Sequence, residues 1–112
     1  MSISTSNIGS VFIITPSGRL DTNTSPEAEK LITEAIDGGE SKIVVDFTET
    51  EYISSAGLRV ILKTAKLLKP KNGAVTLCNA NEQIEEVLEI SGFLGMIMLL
   101  DSLDEAAAAV NK

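Results

Sequence analysis

The apolar residues of the chain follow two kinds of pattern that alternate along the sequence. Short runs of aliphatic and β-branched residues predict buried strands, and they occur at Val11–Thr15, Lys42–Phe47, Ala74–Asn79 and Met96–Leu100. Between these runs, apolar residues recur three and four positions apart, which is typical of amphipathic helices with one buried face. This order predicts an α/β fold in which a hairpin precedes alternating strands and helices, with a mixed, mainly parallel sheet packed against the helices.

The opening hairpin and the first helix are predicted by turn and cap residues. Ser17–Arg19 is interpreted as the turn that follows the strand Val11–Thr15. Thr24 and Glu27 have the spacing of a capping box at the start of the helix. The first turn contains Pro26, the stop is the pair Gly38–Gly39, and the buried face comprises Ala28, Leu31, Ile32, Ala35 and Ile36.

Three further helices follow. The second begins near Ser54 and Ser55, after an acidic segment interpreted as a loop, Thr48–Tyr52, and it ends between Pro70 and Gly73. Its predicted buried stripe comprises Leu58, Ile61, Leu62, Ala65 and Leu68. The third helix is predicted to turn Ile84, Val87 and Leu88 inward and to stop at Gly92, and the fourth opens with a capping box of Ser102 and Glu105.

The size and composition of the chain restrict its classes of function. Its 112 residues suit one domain spanning 1–112, and 44% hydrophobic residues suffice for a core. A net charge of −7 disfavours nucleic acid as a partner, because phosphates would be repelled. Without histidine, the chain lacks the commonest general base and the commonest transition-metal ligand. We therefore expect a protein that is not an enzyme and that holds neither a cofactor nor a metal ion.

The sequence also indicates a compartment. Its longest apolar run falls short of the roughly 18 residues that a membrane span needs. The N-terminal stretch lacks the basic start and apolar core of a signal peptide. The single cysteine, Cys78, excludes an internal disulfide, and its apolar surroundings predict a small buried side chain. These features predict a cytoplasmic protein without a membrane partner.

Two adjacent serines, Ser54 and Ser55, stand where the second helix begins. A helix N-terminus has free N–H donors and a partial positive charge, so it favours an anion. In one interpretation a serine only caps the helix. In the other, the site receives an anion, either as a ligand or as a phosphate attached to serine. Gly57 leaves the first turn without a side chain, so another backbone or a phosphate donor can approach closely.

Several segments together resemble one protein family. Gly18–Asp21, Asp46–Phe47 and Tyr52–Leu62 are the most specific of them, and the chain resembles the STAS-domain anti-sigma factor antagonists of bacteria over essentially its whole length. The resemblance implies a single STAS-type domain. It also implies that the unmodified protein binds an anti-sigma factor and thereby frees a sigma factor. Such an anti-sigma factor is itself a serine kinase with a histidine-kinase-like ATPase fold, and its phosphorylation of the antagonist ends the binding.

The resemblance implies that Ser55 is the phosphorylated residue, because family members are modified two positions before this glycine, Gly57. Ser54 is the alternative, and it stands where the best-known members carry an aspartate. We expect Ser55 to be both the helix cap and the switch. The expected partner-binding residues are Asp21, Ser54, Ser55, Ala56, Gly57, Arg59 and Lys63. A PP2C-type phosphatase is the expected second partner.

Charged residues near the serines each allow two interpretations. Asp21 is either a turn residue bonded to local backbone or a carboxylate beside Ser55 that contributes to kinase recognition. Arg59, Lys63 and Lys66 fall at i, i+4 and i+7, and the helix face they share is either merely solvated or a docking face. Asp46 is expected to have a structural role with bonded partners, since a bare buried carboxylate is costly.

An alternative function within the same family is a STAS domain used without phosphorylation, as an accessory or sensory subunit of a transport or signalling complex. The serines would then only cap the helix. Neighbouring genes for an ATPase-type kinase and a PP2C-type phosphatase would favour the switch, whereas transporter genes would favour the alternative.

Overall fold

One six-stranded sheet organises residues 2–111, the part of the chain that the computed structural model describes. The strands are β1 (Ser2–Ile8), β2 (Val11–Leu20), β3 (Lys42–Asp46), β4 (Thr50–Ile53), β5 (Ala74–Cys78) and β6 (Leu99–Leu100). The helices are α1 (Ser25–Asp37), α2 (Ser55–Leu68), α3 (Glu82–Ile90) and α4 (Leu103–Val110). The predicted α/β class is confirmed, because strands and helices alternate after an N-terminal hairpin.

The long strand β2 positions two other strands along its length. The sheet order is β1-β2-β3-β5-β6, with β1 antiparallel to β2 and the other pairs parallel. The first part of β2 pairs with β3, and its last part, from Gly18 to Leu20, pairs with β4. The end of β2 therefore lies beside the strand that leads into α2.

Helices cover both faces of the sheet. The larger core joins α1, α2 and α3 to one face through Ile43 and Val45, and α4 packs against Val44 on the other face. The strand β3 is apolar on both faces for this reason, as its continuous apolar run predicts.

The hairpin turn lies at Gly9–Ser10, so the prediction of a turn at Ser17–Arg19 is wrong. Gly9 adopts φ +59°, which suits a two-residue connection between paired strands. The strand continues past Ser17, with a register shift at Gly18 (φ +85°), because β4 pairs with it there, and the Gly18 N–H donates to the Glu49 carbonyl at 2.9 Å. The strand β1 is mostly polar and exposed, so the hydrophobic pattern does not reveal it.

Two other boundaries and one buried face differ from the sequence prediction. The segment Thr48–Tyr52 is not wholly a loop, because β4 begins at Thr50. The last strand is limited to Leu99–Leu100. The buried face of α2 comprises Gly57, Val60, Ile61, Thr64 and Leu68, whereas Leu58, Leu62 and Ala65 are half-buried. Thr64 can be buried because its hydroxyl donates to the Val60 carbonyl at 2.8 Å.

The predicted caps are confirmed at one helix and wrong at another. Ser102 caps α4, since its Oγ accepts the Glu105 N–H at 3.1 Å. Thr24 occupies the N-cap position of α1, but its side chain makes no capping bond. Its hydroxyl instead donates to the Arg19 carbonyl at 2.7 Å and accepts the Asp21 N–H at 2.9 Å. Thr24 therefore closes the turn that joins β2 to α1.

Candidate functional site

Ser54 is the N-cap of α2, so the expectation that Ser55 caps the helix is wrong. The Ser54 N–H still belongs to the sheet and donates to the Leu20 carbonyl at 2.9 Å, which keeps its backbone extended at φ −102° and ψ 179°. Its Oγ accepts the Ala56 N–H at 3.2 Å, as an N-cap side chain does. The strand β4 thus ends directly in the cap of the helix.

Ser55 is the first residue of α2, and its side chain is exposed. Within residues 2–111, no group forms a hydrogen bond with its hydroxyl. Because Ser54 already satisfies a first-turn N–H group, the Ser55 hydroxyl has no capping task. It is free to react or to bind a partner at the positive end of a 14-residue helix.

Gly57 holds the first turn of α2 close to the sheet. The residue is buried, and a Cβ built on it would lie 2.7 Å from the Cγ1 of Ile53. No side chain fits there, and the backbone whose close approach was expected is that of Leu20, whose carbonyl oxygen would lie 2.9 Å from the same Cβ. The exposed Ser55 therefore stands on a turn that is fixed from below by close packing.

Asp21 has the local role that its turn position predicts. One of its carboxylate oxygens accepts the Asn23 N–H at 3.0 Å, and the other lies 3.5 Å from the Arg19 Nε. Partial desolvation alone would raise the pKa of Asp21, yet bonds from the backbone of Asn23 and Thr24 and from Arg19 hold it below its ordinary value. The carboxylate thus stays charged at the end of β2, one residue after the Leu20 carbonyl that binds Ser54.

Arg19 and Tyr52 form a contact that sequence reasoning misses. They are cross-strand partners in β2 and β4, and the Arg19 guanidinium lies 4.3 Å from the centre of the Tyr52 ring. Arg19 thereby links Tyr52 to Asp21 across the end of the sheet. Both residues fall in segments that carry the family resemblance, but only the pairing of β2 with β4 brings them together.

A cationic groove runs between α1 and α2. Its volume is about 640 Å³, and its lining includes Ala56, Arg59, Lys63, Lys66 and Glu29. The three cations are exposed on one helix face, as their spacing predicts. Lys63 is partly neutralised, because its Nζ lies 3.0 Å from Glu29 Oε2. Such an exposed pair contributes about 0–1 kcal/mol to stability.

Asp46 and Cys78 have structural roles. Asp46 accepts bonds from the Thr48 N–H at 3.0 Å and the Asn79 side-chain amide at 3.1 Å. These bonds outweigh desolvation and lower its pKa, so the expected bonded role is confirmed. Cys78 is fully buried, and burial together with the nearby Asp46 charge raises its pKa to about 12. The thiol is therefore a core group, as expected.

Residues 2–111 contain neither a cluster that could bind a metal ion nor a helix that could cross a membrane. No group of three or more acidic, cysteine or histidine side chains in that part of the chain could hold a metal ion. Over the same span, no helix combines the length and apolar content needed to cross a membrane.

Comparison with known proteins identifies similar chains over nearly the whole length. The family described as the STAS domain matches residues 2–106. BtrV of Bordetella bronchiseptica, named as a candidate anti-sigma factor antagonist, is 36% identical over 109 residues, which cover 97% of this chain and 94% of BtrV. The anti-sigma F factor antagonist of Paenibacillus polymyxa is 31% identical and covers 82% of this chain, with 80% of its own length matched.

A solved structure shares the fold. The Bacillus protein SpoIIAA, determined in its phosphorylated form, superposes with a TM-score of 0.77 and covers 99% of this chain and 100% of its own. Its sequence identity is 23%, so this likeness concerns the fold alone.

Proposed function

This chain belongs to the STAS domain family, and from that membership we propose that it is an anti-sigma factor antagonist switched by phosphorylation of Ser55. The names of its relatives support the role of anti-sigma factor antagonist. In the proposed cycle, the unmodified protein binds an anti-sigma factor and releases the sigma factor that it holds. The anti-sigma factor is also a serine kinase with a histidine-kinase-like ATPase fold. When it phosphorylates the antagonist, the two proteins no longer bind each other.

The observation that carries this proposal is the division of tasks between the two serines. Ser54 caps α2, and the neighbouring Ser55 hydroxyl is exposed and unbonded. Modification of Ser55 therefore removes no hydrogen bond on which the helix depends. SpoIIAA, which shares this fold, has been determined in a phosphorylated form, and this supports the view that the fold tolerates a phosphate.

The chemistry assigns this chain the role of acceptor. The γ-phosphoryl group of ATP passes to the Ser55 oxygen, the bond to the ADP leaving group breaks, and the serine proton is released. Catalysis belongs to the kinase. A PP2C-type phosphatase would hydrolyse the phosphate and restore the free serine, with inorganic phosphate as the product.

Phosphorylation is expected to end binding without unfolding the antagonist. It adds about 1.5–2 negative charges and a bulky group at the centre of the docking surface. The positive end of α2 accommodates the anion within the fold. The kinase surface, which fits an uncharged serine, meets repulsion and steric overlap instead. Each 1.4 kcal/mol of such penalty weakens affinity about tenfold.

The proposed docking surface surrounds Ser55. It comprises Asp21, Ser54, Ala56, Gly57, Arg59 and Lys63 together with the switch serine. Asp21 lies at the end of β2 beside the cap, while Arg59 and Lys63 extend the surface along α2 into the cationic groove. Gly57 acts from below by holding the turn in place.

The direct test is to mix the protein with ATP and candidate serine kinases and to map the phosphate by mass spectrometry. We expect phosphate on Ser55, normal modification of Ser54→Ala and none of Ser55→Ala, which should stay bound to the kinase. Ser55→Asp should bind more weakly. Phosphate on Ser54, or modification that persists in Ser55→Ala, contradicts the assignment. Absence of modification by every kinase encoded beside the gene would favour the accessory-subunit alternative.

A further inference from the structure

An apolar groove lies between β4 and α3, outside the surface assigned above. It encloses about 280 Å³ and is lined by Tyr52, Ile53, Gln83, Glu86, Val87 and Ile90. Ile90 is 78% exposed and Tyr52 is 37% exposed, and nothing in residues 2–111 covers the groove between them. Two large apolar side chains thus face solvent across a cleft of a size that suits one inserted side chain.

The helix α3, which forms one wall of the groove, is strongly acidic. Glu82, Glu85, Glu86 and Glu89 are all exposed, and their i, i+3, i+4, i+7 spacing places them on one face of α3. Glu86 lines this groove, whereas Glu85 lines a separate cleft beside Asn79. The helix has no basic residue, and neither ion pair within residues 2–111 involves it.

Helix stability accounts for only part of this stripe, because Glu82 and Glu85 stand in the first turn, where the helix dipole favours carboxylates, but Glu86 and Glu89 do not. Like charges three and four positions apart repel one another. Glu89 also stands in the last turn of α3, at the negative end of the helix, where the dipole disfavours a carboxylate. A positively charged occupant of the groove would relieve both effects.

The groove is rigidly joined to the Ser55 site. The Asn81 side-chain amide donates to the carbonyls of Thr50 and Glu51 at 3.3 and 3.2 Å, and its Oδ1 accepts the Ile84 N–H at 2.8 Å. These bonds fix the first turn of α3 on β4. Ile53 lines the groove and also packs against Gly57, so the end of β4 supports both the groove and the first turn of α2, which carries Ser55.

We propose that this groove docks a second segment of the partner that holds Ser55, namely a basic segment that inserts one large apolar side chain between Tyr52 and Ile90. Lysine or arginine residues beside that anchor pair with Glu86 and Glu89. The proposal rests on the proposed function for the identity of the partner. A second copy of this chain fits less well, because each copy has a net charge of −7.

This assignment gives the partner-binding surface two walls of opposite charge. The cations of α2 line the groove between α1 and α2, and Glu86 of α3 lines the groove between β4 and α3. A partner with the complementary arrangement can dock in only one orientation, because the reverse places like charges together. The groove would therefore select the partner and orient its active site toward Ser55.

The groove can be tested without the kinase. The probe is a short amphipathic peptide of lysine and leucine, titrated into the labelled full chain and followed by NMR amide shifts. We expect shifts in Tyr52, Ile53 and 83–90. Affinity should fall about tenfold, or 1.4 kcal/mol, for the double variant Glu86→Lys, Ile90→Ser and for a peptide with serine in place of leucine. The matched control variant, Glu34→Lys with Ile8→Ser, should bind as the wild type does.

Three results would contradict the proposed binding of a basic segment in the groove. They are the absence of binding at low salt, shifts spread over the acidic surface with no focus on β4 and α3, and equal affinity for the double variant. None of them bears on Ser55 as phosphoacceptor.

The kinase assay separates the two proposals. With a kinase that modifies Ser55, the double variant should raise KM about tenfold and leave kcat unchanged, because the acceptor and its cap are intact. An unchanged KM contradicts the docking role of the groove but not the assignment of Ser55 as the phosphoacceptor. If wild-type protein is not modified at all, the proposed function fails, and a positive peptide titration still supports the groove as a site for basic segments.

Discussion

Gly57 packs against the backbone of Leu20 so closely that a Cβ on the glycine would lie 2.9 Å from the Leu20 carbonyl oxygen. The same carbonyl accepts the N–H of Ser54, the cap of α2. One backbone group at the end of β2 therefore fixes both the cap and the first turn of the helix. Ser55 lies between these two fixed points, and its exposure follows from their geometry.

The contact predicts that Gly57→Ala destabilises the protein. We expect a net loss of about 1–2 kcal/mol, since overpacking typically costs about 1–3 kcal/mol and the gain in helix propensity offsets up to about 1 kcal/mol. Urea unfolding measures the change. Gly95→Ala is the control, because a Cβ there meets nothing within 4 Å and the φ of Gly95 is not positive. Equal stability of the two variants would show that the first turn of α2 has room to adjust.

The cap predicts different stability costs for the two serines. Ser54→Ala should lose about 0.5–2 kcal/mol, because the Ala56 N–H loses its acceptor. Ser55→Ala should stay within about 0.5 kcal/mol of the wild type, since an exposed hydroxyl without a partner is removed. Thermal or urea unfolding of both variants distinguishes them. The reverse order of costs would return the capping role to Ser55.

The cationic face predicts salt-dependent association with the kinase. Reversing two charges, Arg59→Glu and Lys66→Glu, should slow association at low salt, and the effect should shrink as salt rises. Stopped-flow or surface-binding kinetics measure the rate. The matched control is Lys69→Glu with Lys71→Glu, an equal change of charge beyond the other end of α2. If both double variants slow association equally, net charge alone is responsible and the groove has no specific role.

The buried thiol predicts a loss of stability in alkaline solution. Because the pKa of Cys78 rises from 9.0 to about 12 on folding, the folded state retains a proton that the unfolded chain releases. Its contribution to stability is complete below about pH 9 and falls by about 1.4 kcal/mol for each pH unit between there and about pH 12. Unfolding of wild type and Cys78→Ala, compared across this range, isolates the thiol. Parallel stability curves would mean that the folded protein accommodates a thiolate.

Much of the fold follows from the sequence because its signals are local. A strand covered on both faces must be apolar at successive positions, and β3 shows that pattern. A helix with one buried face repeats its apolar residues every three or four positions, as α1 does. Pro26 and Gly92 act through their own backbone preferences, so the start of α1 and the end of α3 are readable without any knowledge of the sheet.

The choice of the serine that caps α2, and the surroundings of the other serine, depend on contacts between distant parts of the chain. The cap falls on Ser54 because the sheet still holds its N–H, and that bond depends on the pairing of β4 with a strand far away in the sequence. The same pairing brings Arg19 onto Tyr52 and creates the groove beside α3. The two adjacent serines and the glycine after them can be recognised from the sequence alone as a candidate site. Long-range strand pairing, which leaves no periodic signal, decided that one serine supports the helix and the other is exposed.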